Sequence, residues 1–360
     1  MSCRKGFFIL CTQQNHLMKL KSLLSLVLLA ALPAWAQDYL HFAPKEGPGK
    51  GKKVVLIAGD EEYRSEEAMP MLGKILSQRH GFDCTVLFSA SADGTVMPKD
   101  QGSVTHPEAL DRAEAIIIGT RFRKWPEEAM KKFDAAYLRG VPIVGLRTAT
   151  HAFAGVKAPF EKYNNGAKGE WPGGFGRQVL GEQWVAHHGG HMYEGTRGVI
   201  EPSAKDDPVL RGVADVFGRT DVYTANPQPD SKILLRGQVT ETLDPKSGPV
   251  AGKKNDPMQP IAWTRLHKNE AGKTNRVLCT TMGSSDDLKS EDLRRLIVNG
   301  IYWGFGLDVP AKADVTYVDG YEPSFYAGGG ERKGLKVSDL DLGKPLPART
   351  DGPQPPAPKK

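Results

Sequence analysis

The sequence has little cysteine, which excludes a fold held together by a disulfide framework. Of its four cysteines, Cys3 and Cys11 lie near the N-terminus, and only Cys84 and Cys279 belong to the rest of the chain. Both lie in apolar runs, "DCTVLF" and "RVLCTTMG", where a buried free thiol is common. One disulfide between them is the alternative in an exported protein. The sequence contains no Cys-x-x-Cys pair and no Cys/His zinc pattern.

A hydrophobic run long enough to cross a bilayer is also missing. The apolar run Leu23–Leu32 spans ten residues, about half of what a transmembrane helix needs. It follows Lys19 and Lys21 and precedes the small-x-small pattern "AWA" at 34–36. This order predicts a signal peptide over 1–36, with Met18 as an alternative start. We therefore expect a periplasmic or secreted protein without a stable membrane anchor, and an uncleaved anchor is the alternative.

A large excess of charge of one sign is absent from the predicted mature chain. The whole sequence carries 48 basic and 42 acidic residues, a net charge of +6. Removing Arg4, Lys5, Lys19 and Lys21 with the signal peptide leaves 44 basic residues and a balance of +2. This small excess gives no reason to expect a nucleic-acid partner.

Apolar strand-like runs alternate with helical patterns through most of the chain. Predicted strands cover 51–60, 82–89, 113–120, 141–146 and 275–283, shorter ones 197–200, 232–236 and 259–264, and helices 65–81, 126–140 and 290–306. This alternation predicts an α/β fold of the flavodoxin-like type, a three-layer sandwich around a central, mainly parallel sheet. We expect one domain over 53–307, a linker over 37–52 and an extended, partly disordered tail over 308–360.

Polar residues follow the predicted strands at one end only. "GDEEYRSEE" follows the first strand, "GTRFRKWP" the third, "RTATHAF" the fourth and "GSSDD" the last long one. Ligands of open parallel sheets bind beyond the carboxyl ends of the strands, so we expect these groups to converge on one crevice. The alternative for the first loop is that its acidic residues serve the helix dipole. For Arg121 and Arg123 it is a surface position over Trp125.

Three histidines lie within five positions in "WVAHHGGHMYEG" (184–195): His187, His188 and His191. Gly189 and Gly190 disfavour a helix in this loop, and with it the i, i+4 arrangement of many zinc proteases. A metal site, acid/base or substrate contact, and a purely structural part all remain open for these side chains.

These motifs together resemble the ThuA-like, or trehalose-utilisation, family over roughly 53–307. The resemblance implies a fold similar to the class I glutamine amidotransferases. In those enzymes the turn after the fourth strand carries a cysteine nucleophile, and this chain has Arg147 there. The late His-x-Glu pair of those enzymes is missing as well, since "GSSDD" contains no histidine. Glutaminase activity is therefore not expected.

The resemblance also implies a part in the utilisation of disaccharides or keto-sugars, with a small-molecule sugar as partner and no cofactor. The candidate catalytic residues are His151, His188, His191, Asp60 and Glu62. The candidate substrate-binding residues are Arg147, Thr148, Arg121, Arg64 and Tyr63. Two other readings stay open: a non-catalytic sugar-binding or scaffold protein, and a metal-dependent hydrolase built on the "HHGGH" loop.

Overall fold

A ten-stranded sheet forms the centre of the computed structural model, which describes residues 37–357. The predicted signal peptide, residues 1–36, lies outside the described residues, as do the last three residues of the predicted tail. Within 37–357, no helix combines the length and the apolar character that a bilayer span requires.

The core of the sheet is parallel and its flanks are antiparallel. The strands are β1 (Leu40–Phe42), β2 (Lys53–Gly59), β3 (Asp83–Leu87), β4 (Ala115–Thr120), β5 (Ile143–Leu146), β6 (Ala186–His187), β7 (Thr196–Ile200), β8 (Val216–Gly218), β9 (Tyr223–Thr224), β10 (Lys232–Val239), β11 (Gln259–Lys268) and β12 (Thr274–Thr280). Their order is β1-β3-β2-β4-β5-β12-β11-β10-β7-β8, and β6 and β9 form a separate two-stranded sheet. Strands β3, β2, β4, β5 and β12 are parallel to one another.

Helices cover both faces of the parallel core. They are α1 (Ser65–His80), α2 (Glu127–Leu138) and α3 (Glu291–Phe305). In β2, Val54 and Leu56 pack in one core with α1 and α3, whereas Val55 and Ile57 pack in a second core with α2. Side chains of a strand alternate between its two faces, so a strand covered on both sides is apolar throughout. The predicted α/β, flavodoxin-like three-layer sandwich is confirmed.

Two parts of the chain outside the predicted domain also pack against it. The predicted linker contains β1, which pairs antiparallel with β3 and buries Leu40 and Phe42. In the tail, the Glu67 carboxylate of α1 accepts hydrogen bonds from Ser324 N and Oγ, both at 2.7 Å, and from Arg332 Nε at 2.8 Å. Because Glu67 is buried, these bonds fix the extended tail to the first helix of the domain.

Both remaining cysteines are buried free thiols. Cys84 lies on β3 and Cys279 on β12, and three strands separate β3 from β12 in the sheet. A disulfide between them is therefore excluded, and burial raises the pKa of each thiol.

Candidate functional site

The candidate site begins at a sharp turn after β5. Arg147 directly follows the strand and has a φ of 45°, in the left-handed region that residues with a side chain rarely adopt. Its backbone N–H donates to the carbonyl oxygen of Met282 at 3.0 Å, which ties the turn to the loop after β12. A strained residue at this place is typical of turns that aim one side chain at a functional site.

The Arg147 guanidinium points inward, and both of its terminal nitrogens donate hydrogen bonds within the protein. Nη1 donates to the backbone carbonyls of Asp221 at 2.7 Å and Thr281 at 2.8 Å. Nη2 donates to Asp221 Oδ1 at 2.9 Å and to the Tyr63 hydroxyl at 3.2 Å. The guanidinium also lies over the ring of Tyr223, 3.7 Å from its centroid. Only 1% of the Arg147 side chain is exposed, so this arginine contacts other protein groups and not solvent.

Asp221, in the segment between β8 and β9, is the centre of the site. Its buried carboxylate accepts from Arg147, from His187 Nδ1 at 2.7 Å and from His191 Nδ1 at 3.1 Å. Burial by itself would raise the pKa of Asp221, but the charge of Arg147 and the bonds from both histidines lower it well below its ordinary value. Asp221 is therefore an anion that orients two imidazoles.

His191 connects Asp221 to the first strand-end loop. Its Nε2 lies 3.1 Å from Glu62 Oε1, and Glu62 Oε2 lies 3.1 Å from Arg121 Nη2. Burial opposes the charged imidazolium, but the bonds to Asp221 and Glu62 outweigh it and raise the pKa of His191 to about 9. Burial likewise opposes the Glu62 carboxylate, and His191 and Arg121 lower its pKa nonetheless. Glu62, His191 and Arg121 thus form one ionic chain at the rim.

Asp60 and Thr148 lie behind this chain and shape the loop. Thr148 Oγ1 donates to Asp60 Oδ2 at 2.5 Å, and Asp60 Oδ1 accepts from the backbone N–H groups of Glu62 at 2.8 Å and Tyr63 at 3.0 Å. Both side chains are buried, and burial raises the pKa of Asp60. Their contacts hold Glu62 in place and leave them no open face.

Three other candidates make their contacts with other groups. His151 is buried with its ring against Phe122 at 4.8 Å and Trp184 at 5.4 Å, and burial lowers its pKa well below the ordinary value. His188 Nε2 donates to the carbonyl oxygen of Lys254 at 2.8 Å. The buried Arg64 donates to the carbonyl oxygens of Glu61 and Ala327.

The structure therefore joins five of the predicted residues through Asp221: Arg147, Tyr63, Glu62, Arg121 and His191. Asp221 is not among the residues predicted from sequence, and His187 is in the predicted histidine cluster but not among the catalytic candidates. Asp221 lies in "GRTDVYTAN", which matches no motif. The sequence signal for His187 was the pair His187–His188. In the structure His187 contacts Asp221, whereas His188 contacts Lys254.

His187, His191 and Asp221 also form the group that could hold a metal ion. Each residue offers one ligand atom, and these atoms all lie within 4.8 Å of one another.

Comparisons with known proteins place this fold and site in context. A family model named ThuA and described as trehalose utilisation matches residues 53–304. The structure of a ThuA-like protein from Bacteroides uniformis is 16% identical, with a TM-score of 0.47 and coverage of 73% of this chain and 95% of that one. A ThuA-like protein from Parabacteroides merdae is 14% identical, with a TM-score of 0.43 and coverage of 72% and 92%.

A curated relative matches only a short stretch. Transcription factor E4F1 from Danio rerio is 29% identical over 104 residues, which are 26% of this chain and 14% of that protein. The chain thus spans a small part of this relative's length.

Proposed function

Because the chain belongs to the ThuA family, as its motifs predicted, we propose that it binds a carbohydrate, a disaccharide or keto-sugar, and acts on it at the rim around Asp221. The observation that carries the proposal is a pair of partly exposed imidazoles oriented by one buried carboxylate. His187 is 34% exposed and His191 30%, whereas Asp221 is fully buried. Polar groups presented in this way suit the hydroxyl and carbonyl oxygens of a sugar.

Glutaminase activity is not expected of this site. That reaction needs a thiolate nucleophile at the turn after β5, and Arg147 stands there with its guanidinium engaged by Asp221. Cys84 and Cys279 cannot replace the nucleophile, because both lie buried in strands of the sheet and burial raises their thiol pKa values.

Because Arg147 is buried, the proposed substrate contacts lie at the exposed rim of the site. Of the predicted substrate-binding residues, Arg147, Thr148, Arg64 and Tyr63 are buried, while the Arg121 side chain is 27% exposed. Arg121 carries a cation next to Glu62, and Trp184 lies 5.7 Å from His187 between ring centroids. A guanidinium and an indole ring are groups that proteins use to bind sugars through oxygen contacts and apolar faces.

The test is a ligand screen of the mature chain against disaccharides and their 3-keto derivatives. Thermal shift and calorimetry would detect binding, and mass spectrometry would detect products. Replacing Arg121 with Ala should weaken binding about tenfold or more, since a charged hydrogen bond is worth about 1.5–3 kcal/mol. His41→Ala, at the far edge strand β1, is the control and should bind normally. Binding without product formation would indicate a sugar-binding protein, and no binding of any sugar would contradict the proposal.

We also propose export to the periplasm or beyond, supported by the signal-peptide pattern of residues 1–36. Mass spectrometry of the protein recovered from its natural host should give an N-terminus at Gln37. A species that retains Leu23–Leu32 would contradict export by cleavage.

A further inference from the structure

We propose that His187, His191 and Asp221 bind one divalent transition-metal ion. Two imidazole nitrogens and a carboxylate oxygen are the donor set of many catalytic zinc, iron and manganese sites. The three ligand atoms lie within 4.8 Å of one another. Asp221 Oδ2 lies 2.7 Å from His187 Nδ1, and Asp221 Oδ1 lies 3.1 Å from His191 Nδ1, whereas the edge of a tetrahedron with metal–ligand bonds of about 2.1 Å is about 3.4 Å. Changes in ligand separation on the order of 1–1.5 Å, from at most 4.8 Å to that edge, would admit the ion.

The backbone holds the two segments that carry these ligands in register. His187 pairs with Tyr223 in the β6–β9 sheet, and the N–H groups of His188 and Gly189 donate to the carbonyl oxygen of Val222 at 2.8 and 2.9 Å. A side chain at Gly189 would place its Cβ 3.1 Å from Asp221 Cβ, which explains why glycine occupies that position. Main-chain pairing therefore positions His187 relative to Asp221.

Neighbouring groups orient the ligands as the outer partners of a metal do. Glu62 lies 3.1 Å from His191 Nε2, so the ring can keep its Nε2 proton there, the usual carboxylate–histidine–metal pattern. Binding of the ion would displace the Nδ1 proton that now lies between His191 and Asp221. Arg147 holds Oδ1 of Asp221 and leaves Oδ2, on the His187 side, for coordination. The guanidinium thus fixes the carboxylate without occupying all its lone pairs.

The partial exposure of both histidines leaves one side of the ion open to solvent. Three protein ligands with an open fourth position are typical of catalytic metal sites, while structural sites are closed by four protein ligands. A hydroxyl or carbonyl oxygen of a sugar could take the open position and be polarised by the ion. This use of the ion rests on the proposed function, but the binding of the ion does not.

The experiment uses the full mature chain, purified without a histidine tag and treated with EDTA. Titration with Zn²⁺, Mn²⁺ and Co²⁺ by calorimetry should show one ion per chain, and Co²⁺ should give visible absorption bands. His187→Ala and His191→Ala should each weaken binding by about 100-fold or more, since even an outer partner of a metal is worth 10- to 100-fold. His188→Ala is the matched control, because its ring is bonded to Lys254 O, and it should bind the ion normally.

The outcomes separate this inference from the proposed function. Stoichiometric binding that is lost in the His187 and His191 variants and kept in the His188 variant supports the site. No binding of any of the three ions, or equal binding by all variants, overturns it. Sugar binding is measured in both the EDTA-treated and the ion-loaded protein. Ion binding without sugar binding in either form would contradict the proposed function alone.

Discussion

The parallel and antiparallel halves of the sheet contribute to the site in different ways. The parallel half, β2, β3, β4, β5 and β12, brings its strand ends to one rim and supplies Glu62, Arg121 and Arg147. On the other side of the site, the segments between the antiparallel strands supply His187, His191 and Asp221. The difference shows that the strand ends of the parallel core fix the rim, while the histidines and Asp221 come from the short β6–β9 sheet and the loops beside it.

Asp221 links the two halves, and its loss should have the largest effect on stability. Replacing Asp221 with Asn leaves the buried guanidinium of Arg147 without its counter-charge, which costs about 3–5 kcal/mol in comparable buried pairs. Urea unfolding of the variant would measure the loss. Asp215→Asn is the control, since the Asp215 side chain is 76% exposed and surface changes stay within about 0.5 kcal/mol.

Arg147→Ala should also destabilise the protein. A surface cation could be removed at little cost, but this guanidinium is buried against Asp221 and Tyr223. The double replacement Arg147→Ala with Asp221→Ala should therefore cost less than the sum of the two single replacements. Strict additivity in urea unfolding would show that the two halves are not coupled through this pair.

Replacing Glu67, in the helix that follows β2 of the parallel half, should detach the C-terminal tail (308–357) from the domain. Glu67→Ala removes the acceptor of the bonds from Ser324 and Arg332, and each hydrogen bond to a charged group contributes about 1.5–3 kcal/mol. We expect a loss of about 3 kcal/mol and rapid protease cleavage within 308–357. Glu127→Ala, at the exposed start of α2, should leave the cleavage pattern unchanged. A tail that stays protected without Glu67 would contradict the anchoring.

A buried carboxyl in α1 should make the stability of the protein depend on pH. Burial raises the pKa of Glu66 to about 8, against the opposing charge of Arg64, and the charges of Glu67 and Asp60 raise it further. From about pH 4.5 to 8 the unfolded chain releases this proton and the folded chain keeps it, so this contribution to stability falls as pH rises.

Glu66→Gln should remove that decline and make the variant more stable than the wild type at pH 8, by about 1–3 kcal/mol. Thermal unfolding between pH 5 and pH 8 would measure it, with Glu128→Gln on the exposed face of α2 as control. Parallel curves for the wild type and Glu66→Gln would refute the assignment.

The smallest effect should come from the antiparallel side. Gly189→Ala would push a Cβ to 3.1 Å from Asp221 Cβ and from Val222 N, so we expect a loss of about 1 kcal/mol in stability. It should also weaken ion and sugar binding, because the loop must move away from Asp221. Gly248→Ala, whose added Cβ would meet nothing within 4 Å, is the control for both measurements. Equal ion and sugar binding by the two variants would show that the position of this loop does not affect the site.

Sequence reasoning succeeded where the pattern is local. The strands of the parallel core, the three long helices and the family were all predicted. Each strand is a continuous apolar run, and each helix has recurring apolar positions between a start and a stop signal. The rule that ligands bind beyond the carboxyl ends of parallel strands also placed Glu62, Arg121 and Arg147 on one rim. Strand β1 was missed, since three residues carry too little pattern to predict pairing.

Only the tertiary structure decided which of these groups face each other. Asp221 lies 74 residues after Arg147 and 34 after His187, in a segment without periodicity. The β6–β9 pairing brings His187 to it, and the turn after β5 brings Arg147. The same folding buried Arg147, Thr148, Arg64 and Tyr63, which sequence reasoning had placed at the ligand. Sequence periodicity indicates which face of a single helix or strand is buried. The burial and ion pairing of polar side chains depend on how distant segments pack, and no local sequence pattern encodes this packing.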